Sequence, residues 1–202
     1  SGRTHDRITL WGLPLVVGLG WLRSPSLGMA IALAAGYLFG GLMLGPDLDT
    51  RSIHAKRWGW LRWIWIPYRG SLRHRSPLSH WPLVGTTVRV VYLLVWVFLL
   101  GIGGLAIANE ILQLGWTWTD LARMVGRSLQ SHASVWINLA LGLELGALSH
   151  YLADWGVSSL KTFRKRYPKE GWRALGVFLG SSSRKRSPQR RTPRRRSIGK
   201  HR

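Results

Sequence analysis

Four apolar runs divide the first three quarters of the chain, and polar or basic segments separate them. The runs cover residues 8–22, 27–45, 83–108 and 135–152. Each of the last three has at least about 18 residues, the length that a helix needs to cross a bilayer. The first run is shorter and contains Pro14, so we expect it either to cross with a tilt or to form half of a hairpin. The pattern predicts an all-α, polytopic membrane helix bundle with about four transmembrane helices.

A cleaved secretory signal is a second interpretation of the first run. Arg3 and Arg7 precede a short apolar core, as they would in a signal sequence. The next apolar run follows after only a Ser-Pro-Ser turn, which favours a membrane hairpin instead. Cleavage would remove His5 and Asp6, so the two interpretations differ in the polar residues that the protein keeps.

The segment 51–81, between the second and third runs, is basic and rich in aromatic residues. These aromatic residues are Trp58, Trp60, Trp63, Trp65, Tyr68 and Trp81. Tryptophan concentrates at the level of the lipid headgroups, where its apolar ring and its single N–H donor are both accommodated. We therefore expect a Trp-rich loop along the membrane interface.

Lysine and arginine are unevenly distributed about the runs. The N-terminal segment, the middle loop and the C-terminal tail contain most of them, whereas the opposite side has only Arg23, Arg123 and Arg127. Positive residues collect on the cytoplasmic side of membrane proteins. We therefore expect an integral membrane protein, embedded in the lipid bilayer, with both termini in the cytoplasm.

Composition distinguishes three segments. Lys and Arg total 29 against 8 Asp and Glu, which gives a net charge of +21, and the end of the chain is especially rich in arginine. We expect a membrane-embedded helical domain over residues 1–155, an amphipathic, interfacial basic segment over 156–180, and a disordered Arg-rich tail over 181–202. Beside a membrane such a tail is expected to bind anionic lipid or another polyanion. Nucleic acid is an alternative ligand that rests on the tail alone.

Histidines and carboxylates are few, and most of them fall at the ends of the apolar runs on the predicted cytoplasmic side. The chain has no cysteine, which excludes disulfides and thiolate metal sites, so any metal must be held by nitrogen and oxygen. Such ligands suit zinc in the first place, with manganese or iron as alternatives. Eight candidates are enough for one or two divalent ions. They are His5, Asp6, Asp47, Asp49, His74, His80, His150 and Asp154.

Two spacings support this set. His150 and Asp154 are four residues apart, which places them on one face of a helix. Asp47 and Asp49 flank one residue, so an extended backbone would direct both carboxylates to the same side. By contrast, we interpret His54 as a solvated side chain.

Two charged residues lie within the predicted spans. Arg89 is near the start of the third span and Glu144 is in the fourth. An acid inside a membrane usually has a partner, so we expect these two to pair. The alternative for Arg89 is that its side chain extends to the headgroups.

Four motifs in the same order resemble those of bacterial metal-binding integral membrane proteins, and are similar to the wider group of inner-membrane metal-dependent hydrolases. They are Thr4-His5-Asp6, Gly45-Pro46-Asp47-Leu48-Asp49, His74-Arg75-Ser76-Pro77-Leu78-Ser79-His80 and His150-Tyr151-Leu152-Ala153-Asp154. The resemblance covers about residues 1–155, and it implies that this domain binds metal, is hydrolytic and lies in the inner membrane of a bacterium. Leu78 departs from the pattern, in which a small residue is often seen, and the Arg-rich tail is not part of it.

The functional hypothesis is a membrane-bound, metal-dependent hydrolase that acts at the cytoplasmic face on a phosphoester or a lipid headgroup. A metal-bound water would be the nucleophile, and Asp6 or Asp49 would orient it. Arg75 would pair with a phosphate, because a guanidinium offers two donors at once. The alternative is a non-catalytic, metal-stabilised membrane anchor whose basic tail binds anionic lipid or nucleic acid.

Overall fold

The structure, a computed structural model, describes residues 2–72 and 81–178, and these residues form helices joined by short turns. The α-helices are α1 (Gly2–Arg23), α2 (Leu27–Leu42), α3 (Ile53–Arg57), α4 (Trp65–Ser71), α5 (Val84–Leu112), α6 (Trp118–Ser131) and α7 (Ala133–Glu170). Short 3-10 helices cover Pro46–Asp49, Gly59–Ile64 and Gly171–Val177. The described ranges contain no strand, so the all-α prediction is confirmed.

Two helical stretches in the described ranges are long and apolar enough to cross a membrane, by length and composition alone. They are Leu27–Asp49 and Val84–Leu112. The first and fourth apolar runs also form helices, but neither meets this test, so the four-span arrangement stays a prediction. The apolar side chains of α5 are largely exposed, with Leu94 at 58% and Phe98 at 60% of their full accessibility.

The first run does not break at Pro14, and α1 continues through it to Arg23. A three-residue connection then reverses the chain, and α1 packs against α2. The close fit of the pair is visible at Gly12, where a Cβ would collide with the hydroxyl group of Tyr37. The predicted hairpin is therefore a pair of packed helices.

Helices α2 and α7 cross with their backbones in direct contact. Each contributes two glycines four residues apart, Gly36 and Gly40 on α2 and Gly142 and Gly146 on α7. A Cβ at any of these positions would collide with a backbone carbonyl oxygen of the other helix. Paired small residues at this spacing let two helices approach closely. The crossing holds the end of α2 beside the residues that follow Gly146 on α7.

The Trp-rich segment forms α3, the 3-10 helix Gly59–Ile64 and α4, and it contains much of the apolar core. Trp65 is fully buried in a cluster that includes Leu44, Leu48 and Tyr68. Trp60 is 80% exposed. Trp65 therefore belongs to the core rather than to an interfacial belt, because the chain folds back over the end of α2 at this point.

The connection between α5 and α7, expected to be a polar linker, contains a helix. Helix α6 begins at a capping box in which Thr117 accepts a hydrogen bond from the backbone N–H of Asp120, and Asp120 accepts one from the backbone N–H of Thr117. Leu121, Val125 and Leu129 recur at helical spacing along it. A strongly amphipathic helix therefore occupies this connection.

The chain divides into two compact units, Ser1–Val157 and Ser158–Arg202. The first unit contains all the residues of the candidate site described below. In the second unit, Phe163, Tyr167, Trp172 and Phe178 form a chain of ring contacts with centroid separations of 5.3–6.0 Å.

Candidate metal centre

Polar side chains from three elements of the first unit converge at one end of the helices. His5 comes from the start of α1, Asp47 from the 3-10 helix after α2, and His150 and Asp154 from successive turns of α7. His5 Nε2 lies 3.1 Å from Asp154 Oδ1. His150 Nε2 lies 3.4 Å from Asp47 Oδ2 and 3.6 Å from Asp154 Oδ2. Four of the eight ligands predicted from the sequence are thus brought together.

These separations are those of ligand atoms around one ion. In a tetrahedral site with metal–ligand distances of about 2.0–2.1 Å, neighbouring ligand atoms are about 3.3–3.4 Å apart. Direct N–H···O hydrogen bonds usually have lengths of about 2.7–3.2 Å, and two of the three contacts are longer than this. One ligand atom from each of His5, His150 and Asp154 lies within 4.8 Å of the others. These three residues therefore fit a divalent cation, and Asp47 lies beside them against His150.

The imidazoles of His5 and His150 are removed from solvent, and three of their four ring nitrogens have no hydrogen-bond partner among the described residues. His150 is only 1% exposed, and its ring stacks on that of His5 with centroids 4.1 Å apart. Neither ring nitrogen of His150 makes a hydrogen bond of normal geometry with the described residues, and the same is true of His5 Nδ1. Because buried polar atoms are almost always satisfied, the arrangement favours a further ligand between the rings and the carboxylates.

His54 is a further member of the cluster, and its interpretation as a solvated side chain is wrong. It is 1% exposed, and its ring centroid lies 5.1 Å from that of His150. Its Nε2 lies 3.2 Å from the carbonyl oxygen of Gly41. Since a carbonyl only accepts, Nε2 carries the proton, and the buried Nδ1, which has no hydrogen-bond partner among the described residues, keeps its lone pair. Metal-binding histidines usually show this pattern.

Two local features place His54 there. Ser52 accepts a hydrogen bond from the backbone N–H of Ala55, which starts α3 and puts His54 in its first turn. Gly45 leaves room for the ring, because a Cβ at this position would lie 2.9–3.1 Å from three of its atoms. The Ser52 cap is visible in the sequence, whereas the contact with Gly45 depends on the tertiary fold.

Burial favours the neutral form of His54 and His5. Burial in the first place, and the nearby His150 in the second, lower the pKa of His54 to about 4. The pKa of His5 is lowered by the same two causes in the same order. A neutral imidazole has the free lone pair that a metal requires. At neutral pH both rings are therefore in the form that binds metal.

The predicted ligand Asp6 is directed towards Arg57 on α3. Arg57 Nη2 donates to Asp6 Oδ2 at 2.5 Å, and its Nη1 donates to the carbonyl oxygen of Leu42 at 2.8 Å. Arg57 therefore ties the start of α1 to the end of α2 beside the cluster.

The predicted ligand Asp49 lies in a neighbouring buried cluster. Arg89 is completely buried, and its Nη2 donates to Thr86 at 3.3 Å and to Tyr151 at 3.4 Å. The pKa of Tyr68 is raised, mainly by burial. The nearby Arg89 guanidinium opposes this shift and the Asp49 carboxylate adds to it, which places both groups near Tyr68. The side chain of Arg89 is therefore inside the protein and does not extend to the headgroups. The cluster around Arg89 adjoins the candidate metal centre, because Tyr151 directly follows His150 on α7.

The expected partner of Arg89, Glu144, is placed elsewhere. Its Oε1 accepts a hydrogen bond of 2.8 Å from the backbone N–H of Leu83, the residue before α5. Leu83 has a positive φ of 62°, an unfavourable conformation for a leucine. Glu144 therefore stabilises the unfavourable backbone conformation of Leu83 at the start of α5.

The remaining predicted site residues, His74, Arg75 and His80, lie outside the described residues. Their proposed roles as metal ligands and as a phosphate-binding cation stay predictions.

Comparison with known proteins gives two matches. The family model described as "Uncharacterized metal-binding protein (DUF2227)" matches residues 1–164. An uncharacterized protein of Aquifex aeolicus (strain VF5) is 41% identical over 64 residues, which cover 31% of this chain and 45% of that protein. The chain thus matches less than half the length of that relative. No solved structure matches the chain.

Proposed function

The chain belongs to the family of uncharacterized metal-binding proteins, and from this premise we propose that it is a membrane-bound, metal-dependent hydrolase with its centre at the cytoplasmic face. The observation that supports a metal centre most strongly is the convergence of His5, Asp47, His150 and Asp154 from three distant segments. Two nitrogen and two oxygen donors at these separations suit zinc, with manganese or iron as alternatives.

His54 extends the donor set. Its Nδ1 is buried without a hydrogen-bond partner among the described residues, and its Nε2–H is held by the carbonyl oxygen of Gly41, so the ring keeps one nitrogen for a metal. Its ring lies beside that of His150, so His54 would add a fifth donor to the centre. Five donors could hold one ion with an expanded shell or contribute to two ions.

The centre has a closed side and an open side. The imidazoles of His54 and His150 are buried, whereas the Asp154 side chain is 51% exposed and that of Asp47 is 29% exposed. A divalent ion bound here would lower the pKa of a coordinated water towards neutrality. Water and substrate would approach past the two carboxylates, which can accept a proton. A centre built only to cross-link helices does not need such an opening.

The exposed apolar surfaces support membrane embedding. Soluble monomers rarely expose large continuous apolar patches, yet most apolar side chains of α5 and the outward face of α1 are exposed. From Leu27 to Leu44 and from Ala133 to His150 the helices rise by about 25 Å. The hydrocarbon layer of a bilayer is about 30 Å thick. The centre would therefore lie at one membrane surface, and the basic residues around it favour the cytoplasmic one.

A metal-stabilised, non-catalytic anchor is the second candidate. The centre joins three segments that are far apart in the sequence: α1, the region of the 3-10 helix Pro46–Asp49 and α3, and α7. A metal ion here would act as a cross-link that holds the bundle together at one end. The buried His54 and His150 fit this function as well as they fit catalysis.

An activity screen on metal-loaded protein in detergent distinguishes the two functions. We expect the wild type to hydrolyse at least one class among phosphomonoesters, phosphodiesters and carboxylic esters, with activity lost on chelation and restored by zinc. Asp154→Asn should reduce the rate by about 100-fold or more, whereas Asp120→Asn, remote from the centre, should not. A protein that retains its metal and hydrolyses none of these classes would be the anchor.

A further inference from the structure

A second polar feature, separate from the metal centre, is an open cavity of about 490 Å³ formed by α3, the 3-10 helix Gly59–Ile64 and α4. On α3, His54 and Arg57 face the metal centre, while Ala55 and Lys56 line the cavity. Positions 54 and 57 fall on one side of a helix and positions 55 and 56 on the other. The cavity therefore lies across α3 from the centre and shares no ligand with it.

The lining of the cavity is strongly cationic. It contains four basic side chains and no carboxylate: Arg51, Lys56, Arg62 and Arg69. Elsewhere in the described part of the chain, Arg57 and Arg123 are paired with aspartates. The cavity cations have no carboxylate within salt-bridge distance among the described residues. Four like charges around one space repel each other, and a bound anion would remove this repulsion.

The cations are positioned by the fold. The Nε of Arg69 donates to the carbonyl oxygen of Trp65 at 3.2 Å, and Trp65 is completely buried. Ser52 caps α3, the helix that carries Lys56. The cavity is thus attached to the core of the first unit, although its mouth is open.

Apolar side chains complete the lining. Trp60, Trp63 and Ile66 are exposed beside the cations. Guanidinium groups recognise phosphate oxygens with two parallel donors, and basic pockets at the cytoplasmic surface of membrane proteins bind phosphate-bearing lipid headgroups. Tryptophans at this level would contact the glycerol and the upper acyl chains.

We propose that this cavity binds the phosphate groups of an anionic ligand, either a phospholipid headgroup or a soluble phosphate compound. Its volume is within the range of about 300–1,000 Å³ typical of small-molecule sites. Four cations match a ligand with two phosphate groups better than one with a single carboxylate. The proposal does not rest on the metal centre, because no residue that lines the cavity is one of the candidate ligands.

The test measures binding to the full-length, detergent-solubilised protein by native mass spectrometry. The lipid probes are cardiolipin, which has two phosphates, and phosphatidylcholine, which has no net charge. A calorimetric titration with inorganic diphosphate forms the second arm. The cavity variant is Arg62→Gln/Arg69→Gln, and the matched control is Arg164→Gln/Lys165→Gln, which removes the same charge from an exposed surface of α7.

We expect the wild type to prefer cardiolipin and the cavity variant to lose about 25-fold in affinity, from roughly fivefold for each of the two cations. The control should change by less than about twofold. A second cavity variant, Arg51→Gln/Lys56→Gln, should show a similar loss of affinity. Agreement between the two variants would show that the loss is not caused by misfolding of one of them. If diphosphate binds with the same sensitivity and cardiolipin does not, the site is a phosphate site for a soluble ligand.

Equal losses in the cavity and control variants would overturn the proposal, because they would indicate attraction by net charge alone. Equal binding of cardiolipin and phosphatidylcholine, together with no binding of diphosphate, would overturn it as well. Chelation before the titration should leave the affinities unchanged, so failure here is distinguishable from failure of the metal centre.

Discussion

At the scale of single residues, His54 shows how burial decides the chemistry of a side chain. Its neighbours along the chain are Arg51, Lys56 and Arg57, a context typical of a solvated loop. In the fold its ring is enclosed by Gly41, Gly45 and His150. The sequence indicates the pair His150 and Asp154 because their relation is local to one helix. The contacts of His54 are long-range, so no local pattern could reveal them.

The lowered pKa of His54 predicts how the stability of the metal-free protein depends on pH. The folded-state pKa of about 4 lies below the ordinary value of 6.5. Between these values the unfolded chain binds a proton that the folded chain excludes. The free energy of unfolding should therefore be highest above about pH 6.5 and fall as the pH decreases towards 4, by on the order of 3 kcal/mol for this residue.

Denaturant unfolding in the presence of a chelator measures this dependence. His54→Gln should flatten the decrease between pH 6.5 and 4, whereas His132→Gln, at an exposed position remote from the cluster, should reproduce the wild-type curve. Parallel curves for wild type and His54→Gln would show that His54 is not buried in a neutral form.

At the scale of elements, the crossing of α2 and α7 positions the ligands. Gly146 lies one turn before His150 on α7, and Gly40 lies shortly before the 3-10 helix that contains Asp47. Backbone contact at the crossing therefore fixes the distance between His150 and Asp47. A side chain at the crossing would separate the two elements and widen the centre.

The same substitution at two glycines should have opposite effects. Gly40→Ala places a Cβ against the backbone of Leu143 and should lower the free energy of unfolding by about 1–3 kcal/mol. Gly104→Ala on α5 meets no atom within 4 Å and should raise it by about 0.5–1 kcal/mol, since alanine favours a helix over glycine. Thermal unfolding in detergent compares them, and equal shifts would argue against close backbone contact at the crossing.

The sequence predicts the position of a helix where the helix has the same bounds as an apolar run. The third run, 83–108, corresponds to Val84–Leu112. The fourth run ends at 152, but α7 continues to Glu170, because hydropathy marks the end of an apolar surface and not the end of a helix. Helix α6 has a polar face, so hydropathy predicts a polar connection there, although Thr117 and Asp120 have the spacing of a capping box.

At the scale of the whole molecule, the exposed apolar surfaces and the position of the metal centre indicate how the helices would be oriented in a bilayer. The centre is at one end of the helices, and α6 precedes the start of α7, about 25 Å from His150 along that helix. Leu121, Val125 and Leu129 give α6 an apolar face, while Arg123 and Arg127 lie on the other. The apolar face borders an open cavity beside Val97 and Ile102 of α5, so we expect Arg127 on the opposite face to be exposed to water.

Spin labels test this arrangement, and the absence of cysteine from the sequence allows one label at a time. In liposomes, a label at Leu99→Cys on α5 should be relaxed by oxygen and protected from an aqueous nickel chelate. A label at Arg127→Cys should be accessible to the chelate, and one at Val125→Cys should be intermediate. If Leu99→Cys is as accessible to the chelate as Arg127→Cys, α5 does not lie in the bilayer.

The convergence of His5 with residues of α7, nearly 150 positions away in the sequence, is the feature from which all the proposed chemistry follows. Elemental analysis of the purified protein tests it most directly. We predict about one divalent ion or more per wild-type chain, little or none in His5→Ala and in His150→Ala, and the wild-type content in the control His132→Ala. Wild-type metal content in both cluster variants would show that these distant segments do not build a common metal site.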